Sequence, residues 1–196
     1  MTSSNRIAVV AAVLSVVAAV GLFATFMWTT RWSKRATTAT AASAAAPPPA
    51  AAVAAGRKIK ARLFYVADDG TKLKSLERDV TFGASPVEQA REIIAAQIAP
   101  VTEPLVSAVP AGTALRAVFI TQEGEAYVDL SREVVAAHPG GTINELLSVY
   151  TLVNALTENL PAVTAVQVLV DGKEVDTLAG HVDLRRPLAK NLTWVE

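Results

Sequence analysis

Two carboxylates stand where acid–base chemistry would want them. Asp129 lies near the end of the strand-like run Ala126-Tyr127-Val128-Asp129-Leu130, and Asp171 opens an Asp-Gly turn with Gly172. A pair of carboxyls about 5–10 Å apart across a cleft is the apparatus of glycoside hydrolysis. Each has a plainer reading. Asp-Gly is ordinary turn chemistry, and Asp129-Leu130-Ser131 reads as an Asx-type turn leaving a strand. Asp129 and Gly172 are therefore carried forward as structural or contact positions, with no catalytic residue assigned.

The remaining kits are poorly stocked. The chain has no cysteine, which excludes disulfides, a thiol nucleophile, Cys-ligated zinc and a lipid attached through an N-terminal cysteine. Its two histidines, His138 and His181, are 43 residues apart with no acid at ligand spacing, so neither a metal nor a cofactor is expected. Ser107, Ser131 and Ser148 have no His or Lys at a motif spacing, so a serine hydrolase is not supported. The Gly140-Gly141-Thr142 loop before a helix lacks the Lys and glycine spacing of a phosphate loop and reads as an ordinary helix entry. Asn154 is more telling. An Asn inside an apolar helical run must satisfy its amide if buried, which favours a bond to a neighbouring loop or strand over a partner contact.

These residues need elements to hold them. Residues 58–66 alternate and then become apolar, a strand signal, and Asp68-Asp69-Gly70 turns the chain back through Leu73, Leu76 and Val80. Ser85-Pro86-Val87-Glu88 is a capping box opening a helix over 86–99. Strands at 115–120 and 126–130 flank a Glu123-Gly124 turn. Thr142-Ile143-Asn144-Glu145 reads as a second capping box, opening a helix that runs to Leu160. Strands at 163–170 and 173–178 close the pattern ββ-α-ββ-α-ββ. The fold class expected is α+β: a mostly antiparallel sheet with two helices packed on one face. The polar positions Asn144, Ser148, Thr151 and Glu158 of the last helix form a candidate contact surface.

Upstream lies a different chain. Residues 7–28 carry no charge and are bounded by Arg6 and by Arg31, Lys34 and Arg35. As a helix rising about 1.5 Å per residue the run reaches roughly 33 Å, enough for a hydrocarbon core about 30 Å thick. A cleaved signal peptide would want a shorter core and small residues at its end, whereas this one ends in Phe26-Met27-Trp28. The expectation is an uncleaved single transmembrane anchor at 1–35, an Ala/Pro-rich linker at 36–56 and a domain at 57–196. Extended, the linker would hold the domain up to roughly 65 Å from the membrane. Four of the 18 basic residues precede Arg57, leaving 14 against all 18 acids, a net charge of −4 for the domain. That is no footprint for nucleic acid. The flanking charges weakly favour keeping the domain in the cytosol, but a long domain is translocated largely regardless of them.

The domain resembles the GerMN family of bacterial sporulation and spore-germination proteins over most of 59–191. The pieces that carry the resemblance are Leu105-Val106-Ser107-Ala108-Val109-Pro110-Ala111-Gly112-Thr113, Ala126-Tyr127-Val128-Asp129-Leu130-Ser131 and Tyr150-Thr151-Leu152-Val153-Asn154-Ala155-Leu156-Thr157. With them come Val166-Gln167-Val168-Leu169-Val170-Asp171-Gly172 and Gly180-His181-Val182-Asp183-Leu184. Ala155 departs from the family's usual Asn-Thr-Leu. Family lipoproteins attach through cysteine; this chain would use its transmembrane helix.

The resemblance implies an extracytoplasmic domain at the cell envelope, kinship with ring-building modules of secretion-type assemblies, and no known catalysis. It adds Thr157 to Asp129, Asn154 and Gly172 as candidate structural or interaction residues. The function expected is a membrane-tethered binding or scaffold module in a sporulation or envelope assembly, not an enzyme. Its expected partners are the membrane and an envelope protein or a second copy. The runner-up is a non-catalytic module for cell-wall glycan (peptidoglycan), followed by an envelope hydrolase using Asp129.

Overall fold

A computed structural model describes residues 56–196. The expected anchor and all of the linker but Gly56 lie outside the described residues. Among the described residues no helix is long and apolar enough to cross a membrane.

Strands β1 (Lys58–Val66) and β2 (Leu73–Thr81) form an antiparallel hairpin in continuous register from Lys58↔Thr81 to Val66↔Leu73. Helix α1 (Pro86–Ile98) starts on the capping box read from the sequence: Ser85 accepts from the Glu88 N–H, and Glu88 accepts from the Ser85 N–H. Then follow β3 (Leu115–Ile120), β4 (Glu125–Leu130), the single turn α2 (Glu133–Ala136) and the long α3 (Thr142–Asn159). After them come β5 (Ala165–Val170), β6 (Lys173–Glu174) and β7 (Leu188–Ala189).

The class is α+β, but the expected single, mostly antiparallel sheet is two sheets. β1 and β2 stand as a pair; the other sheet runs β3-β4-β5-β6, with β7 added to β5. Within it β4 and β5 are parallel, with Tyr127 beside Gln167 and Val128 beside Val168. The physical reason is the connection. The stretch from Ser131 to Thr164 carries two helices, and such a crossover returns the chain to the same end of the sheet. The last expected hairpin is also cut short, since β6 has two residues and the segment after it leaves the sheet.

Helices α1 and α3 pack on each other; α3 also lies on β1, β5 and β7, and α1 on β3, β2 and β1. One apolar core joins them. Leu63, Phe64 and Tyr65 of β1 and the in-register row Val118, Val128 and Val168 are buried with Ile93, Ile94, Leu152 and Leu156. The second capping box does not form. Gly141 is the N-cap of α3, Thr142 makes no side-chain cap, and Glu145 turns inward to a stronger set of donors.

Candidate functional site

The fold brings Asp129 and Gly172 together. Asp129, on β4, accepts the Gly172 N–H at 2.7 Å through Oδ1 and the Arg116 Nε–H at 3.1 Å through Oδ2. Arg116 also reaches Asp171 at 3.4 Å, so one guanidinium spans both candidate carboxylates. Both carboxylates are thus spent on holding neighbouring groups in place. The pair therefore closes the β5–β6 turn, where Asp171 has φ 50° and Gly172 φ 76°.

Ser148 and His138, distant in sequence, meet at 3.1 Å between Oγ and Nε2. The geometry resembles a nucleophile and its base, but the protons run the wrong way. His138 Nδ1 accepts the Gly140 N–H at 3.0 Å, so in the neutral ring the proton sits on Nε2 and is donated to Ser148. Ser148 in turn offers its hydroxyl proton to the carbonyls of Ala108 and Asn144. Its side chain is in the core, with the residue 1% exposed. Burial holds the His138 pKa below its ordinary value, keeping the ring neutral. Ser107 bonds to the Val109 backbone, and Ser131 accepts the Ala114 N–H and bonds the Glu133 carboxylate.

Glu145 is the strongest polar anchor. Its fully buried carboxylate accepts the N–H groups of Leu178, Ala179 and His181 at 2.7, 2.9 and 2.7 Å, and His181 Nδ1 lies 3.2 Å away. Burial alone would raise its pKa, but the converging backbone N–H groups outweigh that and hold it below the ordinary carboxylate value. His181 is thus a neighbour of a structural carboxylate. Among the described residues no group of His, Asp or Glu is placed to hold a metal ion.

Asn154 is wholly buried, and its amide pairs with both backbone groups of Asn191: Nδ2 donates to the carbonyl at 2.9 Å and Oδ1 accepts the N–H at 3.0 Å. Thr157 donates to the Val153 carbonyl one turn back. The contact surface expected on α3 is corrected here. Ser148 and Thr151 are buried, and Glu158 is engaged by Arg62 and Lys190 at 2.9 Å each; only Asn144 is exposed. Trp194 lends its carbonyl to the Leu73 N–H and is partly covered.

What the sequence reading missed lies on the opposite face of the second sheet from Val118, Val128 and Val168. There Phe119 stands directly across from Tyr127, and Phe119 is 61% exposed. The signal was weak because residues 115–120 are mostly apolar, leaving no alternation to mark an outer face. The turn that sets this register is pinned at Gly124. A Cβ there would lie 2.6 Å from the Ala162 carbonyl oxygen, and the Gly124 carbonyl accepts the Thr164 N–H.

The fold agrees with the comparisons. The chain belongs to the Germane family, described as sporulation and spore germination, which it matches over residues 62–176. It is similar to the tandem GerMN domains of the sporulation protein GerM from Bacillus subtilis, at 16% identity and a TM-score of 0.53, over 68% of this chain and 46% of that one. This chain thus spans about half of that tandem pair. The first GerM domain alone aligns at 16% identity and a TM-score of 0.48, over 67% of this chain and 97% of that one. A lipoprotein candidate from Clostridium perfringens aligns at 22% identity and a TM-score of 0.48, over 68% and 88%. No curated protein matches. The domain is thus of GerMN type.

Proposed function

We propose that this chain is a membrane-tethered, extracytoplasmic binding or scaffold module of a sporulation- or envelope-associated assembly. The observation that carries the reading is the exposed Phe119 on the open sheet face, beside sites whose polar groups are all engaged within the fold. Asp129, Asp171, Glu145, Ser148, His138 and Asn154 each hold backbone or a neighbouring side chain, leaving no free acid, base or nucleophile among them. An exposed ring set beside a second aromatic, Tyr127, is the kind of site on which a protein contact can centre. Tethering would raise the effective concentration of a weak contact.

The test is crosslinking of intact cells with a membrane-impermeant amine reagent, with lysed cells as control. The expected result is a discrete adduct between the full-length protein and an envelope protein or a second copy. Adducts that appear only after lysis would put the domain in the cytosol and overturn the reading. Labelling without any protein adduct would move the weight to cell-wall glycan.

A further inference from the structure

The open face around Phe119 has a definite electrical character. Alternate residues of a strand share a face, so register maps its occupants. Phe119 lies across from Tyr127, and Tyr127 is beside Gln167. The next row holds Ala117, Asp129, Leu169 and Glu174. On the β5 side this face is roofed: Gln167 is buried and donates to the Leu184 carbonyl. On the β3–β4 side it is open.

Carboxylates gather at Tyr127 in that opening. Tyr127 donates its hydroxyl to Glu125 at 3.3 Å, and Glu174 and Glu123 are close enough to act on the same hydroxyl. Together with partial burial, these carboxylates hold the Tyr127 pKa above its ordinary value. Arg116, beside Asp129 on this face, is engaged with Asp129 and Asp171. An aromatic pair attracts cations to its ring faces, and a carboxylate rim adds ion pairs. A neutral sugar would use the rings but gain nothing from the rim.

We propose that the open face of β3 and β4, centred on Phe119 and Tyr127, docks an arginine- or lysine-bearing segment of a protein partner. The cationic group lies over the aromatic pair and is paired with Glu125. This rests on the binding-module reading above and names its partner's chemistry.

The test titrates the full-length protein with a fluorescent peptide alternating glycine and arginine, a matched glycine–glutamine peptide, and chitotetraose. The arginine peptide should bind, weaken with added salt, and exceed the glutamine peptide. Phe119→Ala and Glu125→Gln should each weaken it about three- to fivefold, whereas Asp68→Asn, on the other hairpin, should not. Because Phe119 is exposed, Phe119→Ala should melt like wild type, so lost binding would not mean lost fold. Absence of arginine-peptide binding, binding indifferent to both variants, or chitotetraose binding removed by Phe119→Ala would each overturn the proposal. The two readings fail separately. Crosslinked adducts that persist in both variants leave a binding module with its surface elsewhere, while absence of adducts in the wild type removes the protein-binding reading itself.

Discussion

Gln97 of α1 treats Phe64 of β1 as a neighbouring strand would: its amide donates to the Phe64 carbonyl at 2.7 Å and accepts the Phe64 N–H at 2.8 Å. Two residues back, Asn159 of α3 does the same to Arg62, with both bonds at 2.8 Å. Two residues ahead on the same edge, the Val66 N–H donates to the Val106 carbonyl. The edge of β1 away from β2 is thus closed by side chains from both long helices, which blocks strand addition there. Gln89 bridges Gly83 and Thr81 in the same manner, and Asn154 holds Asn191. Amide side chains are the device by which this domain ties helices to extended backbone.

Removing one of these amides strands two backbone groups. Gln97→Leu should cost about 2–4 kcal/mol, since Phe64 is fully buried and each orphaned group costs about 1–3. Asn154→Ala should cost about 1–3 kcal/mol, less because Asn191 is partly exposed. Urea unfolding checks both. Unchanged midpoints would remove the strand-mimic role, and an Asn154→Ala protein that melts normally but loses its crosslinked adducts would make Asn154 a contact residue instead.

Glu145 predicts a pH dependence. Its folded pKa is depressed, so the stability it contributes is fully present above the unfolded value of about 4.3 and is lost as pH falls through the folded value. Glu145→Gln keeps the shape but loses the charge that receives the Leu178, Ala179 and His181 N–H groups, at a cost of about 1–3 kcal/mol at neutral pH. Measured by unfolding from pH 7 to 3, wild type and variant should converge at the acid end. A constant gap across that range would show that the carboxylate's charge is irrelevant.

At the β5–β6 turn, Gly172→Ala should destabilise by about 1–2 kcal/mol through its positive φ of 76°. Crowding is not the cause, since the nearest atom to an added Cβ, Asp129 Oδ2, is 4.0 Å away. Asp129→Ala should cost a similar amount by releasing the Gly172 N–H and Arg116. Thermal melts distinguish the two causes: Gly172→Asn, better able to adopt the left-handed conformation, should recover part of the loss.

The local parts of this fold were legible and the remote ones were not. Ser85 and Glu88 satisfy each other three residues apart, so their box could be read directly. Thr142 and Glu145 have the same spacing, but the N–H groups of Leu178, Ala179 and His181 recruit the glutamate from more than 30 residues away. Asn144, Ser148, Thr151 and Glu158 looked like a polar helix face. Ser148 is buried because the Ala108 carbonyl awaits it, a contact that no helical period encodes; for Asn154 the apolar run pointed to a bond with neighbouring backbone but not to Asn191 as the partner. The parallel pairing of β4 with β5 was equally hidden, being a property of the crossover. The link between Asp129 and Gly172 likewise appears only once those strands lie side by side.

Ser148 beside His138 invites a chemical test. A fluorophosphonate probe should leave Ser148 unlabelled in the folded protein, because the hydroxyl is buried and receives a proton from His138 instead of giving one. Peptide mapping by mass spectrometry would read the result. Labelling at Ser148 that disappears in His138→Ala would reinstate a hydrolase.

Thr151 carries the one expected gain. Its hydroxyl is buried without a hydrogen-bond partner, alone in this among the side-chain polar atoms of the described residues. An unpaired buried hydroxyl has left water without compensation, and valine keeps nearly the same shape. Thr151→Val should therefore leave stability unchanged or raise it by up to about 1 kcal/mol, opposite in sign to every other core polar substitution here. β-Branching is retained, so helix propensity is not the variable. A loss above about 1 kcal/mol in urea unfolding would mean that the hydroxyl has a partner, such as a buried water, that the packing conceals.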